Sequence, residues 1–157
     1  MEYTETDAIL SDCGKYRYML RRVWDRKKPV CLFIGLNPST ADATKDDPTI
    51  RRCVRFADDW GYGTLMMGNL FAFRATDPKQ MIASADPVGP LNDRWLKEIA
   101  KGCGIVVAAW GAHGALNARD WDVRQMMPKK MHHLGLTKAG QPRHPLYLKA
   151  DTVPVLL

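Results

Sequence analysis

The chain has 157 residues, 46% of them hydrophobic, and a net charge of +6 at pH 7, enough apolar material for one ordinary core in a single domain over residues 1–157. No apolar run approaches the length of a membrane helix, and the opening MEYTETDAIL is acidic and polar, unlike a signal peptide, so a soluble protein of the cytoplasm, with no membrane partner, is expected. Cys13, Cys31, Cys53 and Cys103 are scattered with no Cys-x-x-Cys pair, which argues against a zinc knuckle or an iron–sulfur cluster and for buried, reduced thiols.

In chain order, AILSDCGKYRYMLRRVW reads as two short strands around a turn at Asp12, Cys13 and Gly14, with Tyr16, Tyr18 and Leu20 alternating against Arg17, Met19 and Arg21. PVCLFIG is a continuous apolar run, the pattern of a strand buried on both faces. DDPTIRRCVRFADDWG predicts a helix. Asp46 or Asp47 caps it, Pro48 takes the first helical position and Gly61 sits where the C-terminal cap belongs. Ile50, Cys53, Val54 and Ala57 share one face of it, with the arginines largely on the other.

TLMMGNLF is the next buried strand. TDPKQMIASA and GPLNDRWLKEIAKG each open with a turn residue and a proline, which marks two helix starts. GIVVAAW is a third buried strand, NARDWDVRQMM a helix and MHHLGL a weaker fourth strand, before a proline-broken tail that is mostly loop. Apolar strands alternating with helices predict an α/β fold of three layers, α/β/α. At its centre is expected a mostly parallel, four-stranded sheet, with the N-terminal β-hairpin added to it.

In such a sheet, ligands bind beyond the carboxyl ends of the strands. Here those ends carry GLNPST, GNLFAFR, WGAHG and GQPRHPLY, so the small and polar residues collect on one edge. Gly35 allows close backbone approach, and Pro38 fixes the turn that holds Asn37 toward the crevice. An amide at Asn37 orients a water or reads a ligand edge, but it is no strong base; the alternative is a plain Asn-Pro turn. Asn69 lies inside an apolar strand, where its amide needs partners for donors and acceptor alike; the matched edge of a nucleobase would supply them.

His144 sits on a loop stiffened by Pro142 and Pro145. His132 and His133 are neighbours on a strand, face opposite ways and cannot share a metal. His113 and His144 lack a carboxylate or Cys at ligand spacing, so neither a metal nor a cofactor is expected. No Walker loop, no dinucleotide fingerprint and no Gly-x-Ser-x-Gly elbow appears, and nothing marks Ser39 as an activated nucleophile. Basic clusters at residues 21–28, 51–55 and 128–130 and around Arg143 and Lys149 favour an anionic partner, nucleic acid first.

The four rim motifs, in this order, resemble those of the uracil-DNA glycosylase superfamily. GLNPST is similar to its first motif, which implies a water-positioning role for Asn37. GNLF is similar to the strand whose Asn reads the base, here Asn69, and IVVAAWGAHG to the third-strand segment ending in Trp-Gly. RHPLYL resembles the His-Pro-Ser loop, which implies that His144 stabilises the departing base anion. Leu146 and Tyr147 stand where Ser-Pro would be expected, and Asn37 where many members have Asp. More closely, YRYMLRRVWD, GLNPSTAD, DDPTIRR, NLFAFRATDP and LGLTKAGQPRHPLYL resemble an uncharacterised family, the domain of unknown function numbered 1643.

The expectation is then an N-glycosidase-like protein that takes a flipped, possibly modified base from DNA. Asn37 and His144 are its catalytic residues, and Asn69 and Gly35 bind the base. Phe71 or Phe73 stacks on it, or else belongs to the core. Ser39, Arg51, Arg52, Arg74, Arg143 and Tyr147 are candidates for phosphate or DNA contacts. DNA is favoured over RNA, and a monomer is expected. The rivals are a non-catalytic module that binds a nucleobase or nucleotide in the same pocket, and an enzyme acting on free nucleosides or nucleotides.

Overall fold

A run such as VCLFIG offers no polar side to water, so it needs cover on both faces. The computed structural model, which describes residues 1–157, provides that cover. Its strands are β1 (Glu5–Leu10), β2 (Arg17–Val23), β3 (Val30–Gly35), β4 (Thr64–Asn69), β5 (Ile105–Ala108), β6 (Met131–His133) and β7 (Val155–Leu156). Its helices are α1 (Pro48–Asp59), α2 (Pro78–Ile82), α3 (Asn92–Lys101) and α4 (Arg119–Met126). Successive residues of β3 and β5 point to opposite sides. Cys31, Phe33, Ile105 and Val107 pack with Ile50, Cys53, Val54 and Ala57 of α1. Leu32, Ile34, Val106 and Ala108 pack with Met81 of α2, Leu96 and Ile99 of α3 and Val123 of α4.

The expectation of a four-stranded, mostly parallel sheet with an added hairpin is corrected here. One mixed sheet of seven strands runs in the order β1-β2-β4-β3-β5-β6-β7. β3 is parallel to β4 and β5, and β5 to β6. β2 pairs antiparallel with both β1 and β4, and β7 antiparallel with β6. The hairpin is therefore part of the sheet. The alternation read in β2 fails for the same reason: Arg17, Tyr18, Met19 and Leu20 are all buried, because an interior strand is covered on both faces whatever its own pattern suggests.

Local chemistry sets the helix ends. The Asp47 carboxylate accepts from Ile50 N at 2.9 Å, Pro48 follows it, and Gly61 takes φ +91° after the last turn, each satisfying or sparing a terminal backbone group. Asp77 caps α2 in the same way. α4 starts later than its sequence suggests. Asn117 and Ala118 adopt φ of 54° and 56°, a left-handed step that costs about 1–2 kcal/mol per residue, and the 3-10 turn that begins at Ala112 breaks at Leu116, just before it. The cysteine reading needs one correction. Cys31, Cys53 and Cys103 are buried, but Cys13 is exposed on the hairpin turn. No helix is long and apolar enough to cross a membrane.

Candidate functional site

Where β3, β4 and β5 end, the chain turns away and leaves a cavity of about 490 Å³. Residues 35–39, Asn69, residues 109–113, His144 and Tyr147 all line it, so the segments read as a rim share one space. Arg17 from the start of β2 and Asp47 from the cap of α1 complete the wall.

Asn69 is the last residue of β4 and only 2% exposed. Its Nδ2 has no hydrogen-bond partner, a costly state for a sealed donor. Its Oδ1 lies so near Gly35 that a Cβ there would meet it at 2.8 Å, so glycine is what lets the amide lie across the end of β3. The backbone behind it is held firmly. Asn92 Nδ2 donates to the Asn69 carbonyl at 3.0 Å and to the Leu70 carbonyl at 3.1 Å, and Arg119 Nε donates to the Leu70 carbonyl at 2.8 Å. Arg119 is in turn paired with Asp93 at 2.5 Å.

Asn37 is more constrained than its sequence suggests. Its Nδ2 donates to the carbonyls of Ala75 (2.8 Å), Pro38 (3.1 Å) and Phe73 (3.4 Å). The amide thereby staples the loop after β3 to the segment after β4, and only Oδ1 is left to meet a water or ligand. Beside it, Ser39 Oγ stands 3.5 Å from Thr76 Oγ1.

His144 is held by its own loop. Its Nδ1 accepts from Leu146 N at 3.2 Å, so the neutral ring carries its proton on Nε2 and remains a donor there. Burial pushes the imidazole below its ordinary value of 6.5, against the opposing pull of the Asp47 carboxylate. The loop is tied to the sheet by Gly111 N donating to the Pro142 carbonyl at 2.7 Å. Gly111 has φ +75°, a conformation open to glycine at no steric cost.

Other residues named from the sequence lie elsewhere. Phe71 is fully buried in the core beneath α3, which leaves no face for a base. Phe73 packs edge-on against Tyr16, ring centres 5.9 Å apart, and does not line the cavity. Arg51 and Arg52 border a separate, more open hollow of about 580 Å³ on the outer side of α1, with Arg55, Asp58 and Asp59. Arg52 donates to the Leu148 carbonyl and lies over Phe56. Arg74 donates to the Gly14 carbonyl at 3.3 Å, and Arg143 is exposed outside the cavity.

Arg17, Asp47, Asn92 and Arg119 escaped the sequence reading as site residues. Asp47 was visible only as a helix cap, although it is the one carboxylate lining the cavity. Arg17 looked like the outward half of an alternating strand. Nothing local marks Asn92 or Arg119, because their partners are carbonyls more than twenty residues away.

A family model described as "Protein of unknown function (DUF1643)" matches residues 17–146, and the chain belongs to that family. No curated protein and no solved structure matches it. Nothing in these comparisons extends to the uracil-DNA glycosylase superfamily.

Proposed function

We propose that this member of the DUF1643 family binds a nucleobase in the strand-end cavity and hydrolyses its bond to the sugar, the base being carried by DNA. The observation behind the reading is Asn69: a buried amide with an unpartnered Nδ2, given room by the missing Cβ of Gly35 and lining the same cavity as the neutral donor of His144. Such an amide is matched by a donor–acceptor base edge, and reaching a base inside a duplex requires flipping it out.

In the reaction, a water oxygen attacks the sugar carbon as the C–N bond breaks, and the bonding electrons leave with the base. Asn37 Oδ1 accepts one water hydrogen and positions the oxygen. The water's proton needs a base that an amide cannot be, and Asp47 supplies the only carboxylate in the cavity. The departing base is anionic, and the His144 Nε2–H donates to it without giving up its proton. The positive charge of the chain, +6, favours a polyanionic carrier.

One observation favours a second reading. The Asn37 amide is already committed to three carbonyls, which suits a fixed wall as well as a catalyst, so a module that binds a nucleobase or nucleotide without cleaving it is the alternative. The test is to incubate the protein with oligonucleotides carrying a range of modified bases and expose abasic sites by alkaline cleavage. Strand breaks at one base type support hydrolysis. Retention of a base-bearing ligand with no abasic product supports the binding module.

A further inference from the structure

The chain buries three arginines, Arg17, Arg22 and Arg119, and they are not alike. The Arg22 guanidinium bonds to Asp46 Oδ1 at 2.8 Å and to the carbonyls of Asp42 (2.6 Å) and Lys45 (3.1 Å), among others. Arg119 has the Leu70 carbonyl and Asp93. Each of these two is paired with a carboxylate. Arg17 is 2% exposed, yet its single acceptor is the Ala41 carbonyl at 3.0 Å, and its Nε is sealed with no partner. It makes no ion pair, in contrast to Arg22 and Arg119.

The carboxylates near Arg17 each commit one oxygen to a backbone cap. Asp42 Oδ1 accepts from Thr44 N and Lys45 N, and Asp47 Oδ1 from Ile50 N. Through space the charges of Asp47 and Asp42 favour the Arg17 cation, and those of Arg74 and Arg22 oppose it. Burial draws Arg17 down to about 10, which still leaves it a cation at neutral pH. A buried cation with no carboxylate in contact is expensive and is normally paired. Of the three buried arginines, this one alone borders the strand-end cavity.

We infer that Arg17 forms an anion subsite inside the cavity, and that the ligand brings its own counterion in the form of a phosphate group. A guanidinium suits a phosphate because its planar donors meet two oxygens at once. Thr49, in the first turn of α1, lines the same wall, where the partial positive end of a twelve-residue helix favours an anion. With Asn69 reading the base, the ligand is a nucleotide unit whose base and phosphate are both inside one cavity; this extension rests on the nucleobase reading above. The phosphate is either that of a free nucleoside monophosphate or a backbone phosphate drawn in with a flipped nucleotide.

The experiment uses the full chain and three probes: inorganic phosphate, nucleosides paired with their monophosphates, and short single-stranded oligonucleotides. Affinities are measured by calorimetry, and the arginine Nε–H resonances are followed by NMR. The Arg17 Nε–H resonance is assigned through bonds from its own backbone amide in the wild-type protein. The expected result is that each monophosphate binds about tenfold or more tightly than its nucleoside, that inorganic phosphate displaces the Arg17 Nε–H resonance, and that Arg17→Lys abolishes the preference. If Arg17→Lys does not fold, the wild-type resonance alone decides. Equal affinities, or a response confined to exposed arginines with the Arg17 resonance unmoved, overturns the subsite. Tighter binding of the oligonucleotide than of the monophosphate identifies the backbone as the source, and the reverse identifies the free nucleotide. Phosphate bound at Arg17 with no gain from any base keeps the subsite and removes the nucleobase reading. Base release unaffected in rate and KM by Arg17→Lys keeps the hydrolase and removes the subsite.

Discussion

Replacing Asn92 tests whether the strand end that carries Asn69 is held by polar contacts or merely by packing. The side chain is fully buried, its Nδ2 serves the carbonyls of Asn69 and Leu70, and its Oδ1 has no partner. Asn92→Leu removes two hydrogen bonds worth about 1 kcal/mol each, but it also removes the unpartnered Oδ1, which returns part of that sum. The Leu70 carbonyl keeps Arg119 as a donor. The net loss should be about 1–2 kcal/mol, or about 2–8 °C in Tm for a chain of this size. Asn92→Asp is nearly isosteric, yet it sets a carboxylate against two carbonyl oxygens, and the nearby Arg119 is already paired with Asp93. An unpaired buried charge costs about 3–5 kcal/mol, so the aspartate variant should be clearly worse than the leucine one at pH 7. Its burial raises the folded-state pKa of the new carboxyl above its unfolded value of about 3.9. The deficit against Asn92→Leu is therefore smallest below that value and grows as the pH rises toward neutrality. Urea unfolding of both variants at pH 4 and pH 7 measures this directly. Equal stability of the two variants at pH 7 would refute the assignment of Asn92 as a donor to two buried carbonyls.

Gly35→Ala places a Cβ 2.8 Å from both Asn69 Oδ1 and Met67 Cε; both are side-chain ends that can move, so the expected stability loss is modest, about 1–3 kcal/mol, while binding of any base-bearing ligand by calorimetry should be lost. His144→Ala should slow base release about a hundred- to thousandfold with little change in affinity, and Asn69→Ala should weaken binding first; wild-type base release from His144→Ala would sink the proposed mechanism. Because burial lowers the His144 pKa from 6.5, its contribution to stability is present above that pH and is lost as the pH falls below it, so unfolding curves for His144→Gln should show a flatter acid limb than the wild type. Binding to a labelled oligonucleotide should weaken steeply between two salt concentrations through counterion release, and a salt-independent affinity would speak against phosphate contacts.

The elements most legible in the sequence are those whose cause is local. Asp47 and Pro48 mark the start of α1 and Gly61 its end, each through its own backbone chemistry, and the apolar runs at β3, β4 and β5 need no distant partner to be recognised. The rim could be read as well, since Gly35 and Asn69 end strands and Gly111 and His144 lie in the segments that follow them, and the topology of parallel strands brings such ends to one edge. Long-range pairing is what the sequence hides. That β2 would be an interior strand depends on β4 accepting it, so Arg17 reads as a surface residue until the register places it beside Ala72, whose carbonyl accepts from Arg17 N at 3.0 Å. Phe71 and Phe73 illustrate the converse. Their proximity in sequence to Asn69 suggested a stacking platform, but the chain beyond β4 turns into the core and against Tyr16.

The mixed character of the sheet bears on what the site can contain. A purely parallel sheet delivers only carboxyl-terminal strand ends and the loops that follow them to its binding edge. An antiparallel strand reverses this, because it begins where its neighbours end. β2 runs antiparallel to β4 with Leu20 opposite Met67, and the bridge between Tyr16 and Phe73 extends the pairing past the end of β4. The first residue of β2 therefore arrives at the rim on a strand backbone, with Tyr18 and Leu20 packed behind it in the interior. Arg17 is thus fixed by the sheet and Asn69 by the adjacent strand, whereas His144 is carried by a loop and Asp47 by a helix cap. A ligand that met all four would be gripped on its rigid side by the sheet and approached by the chemistry from the loops.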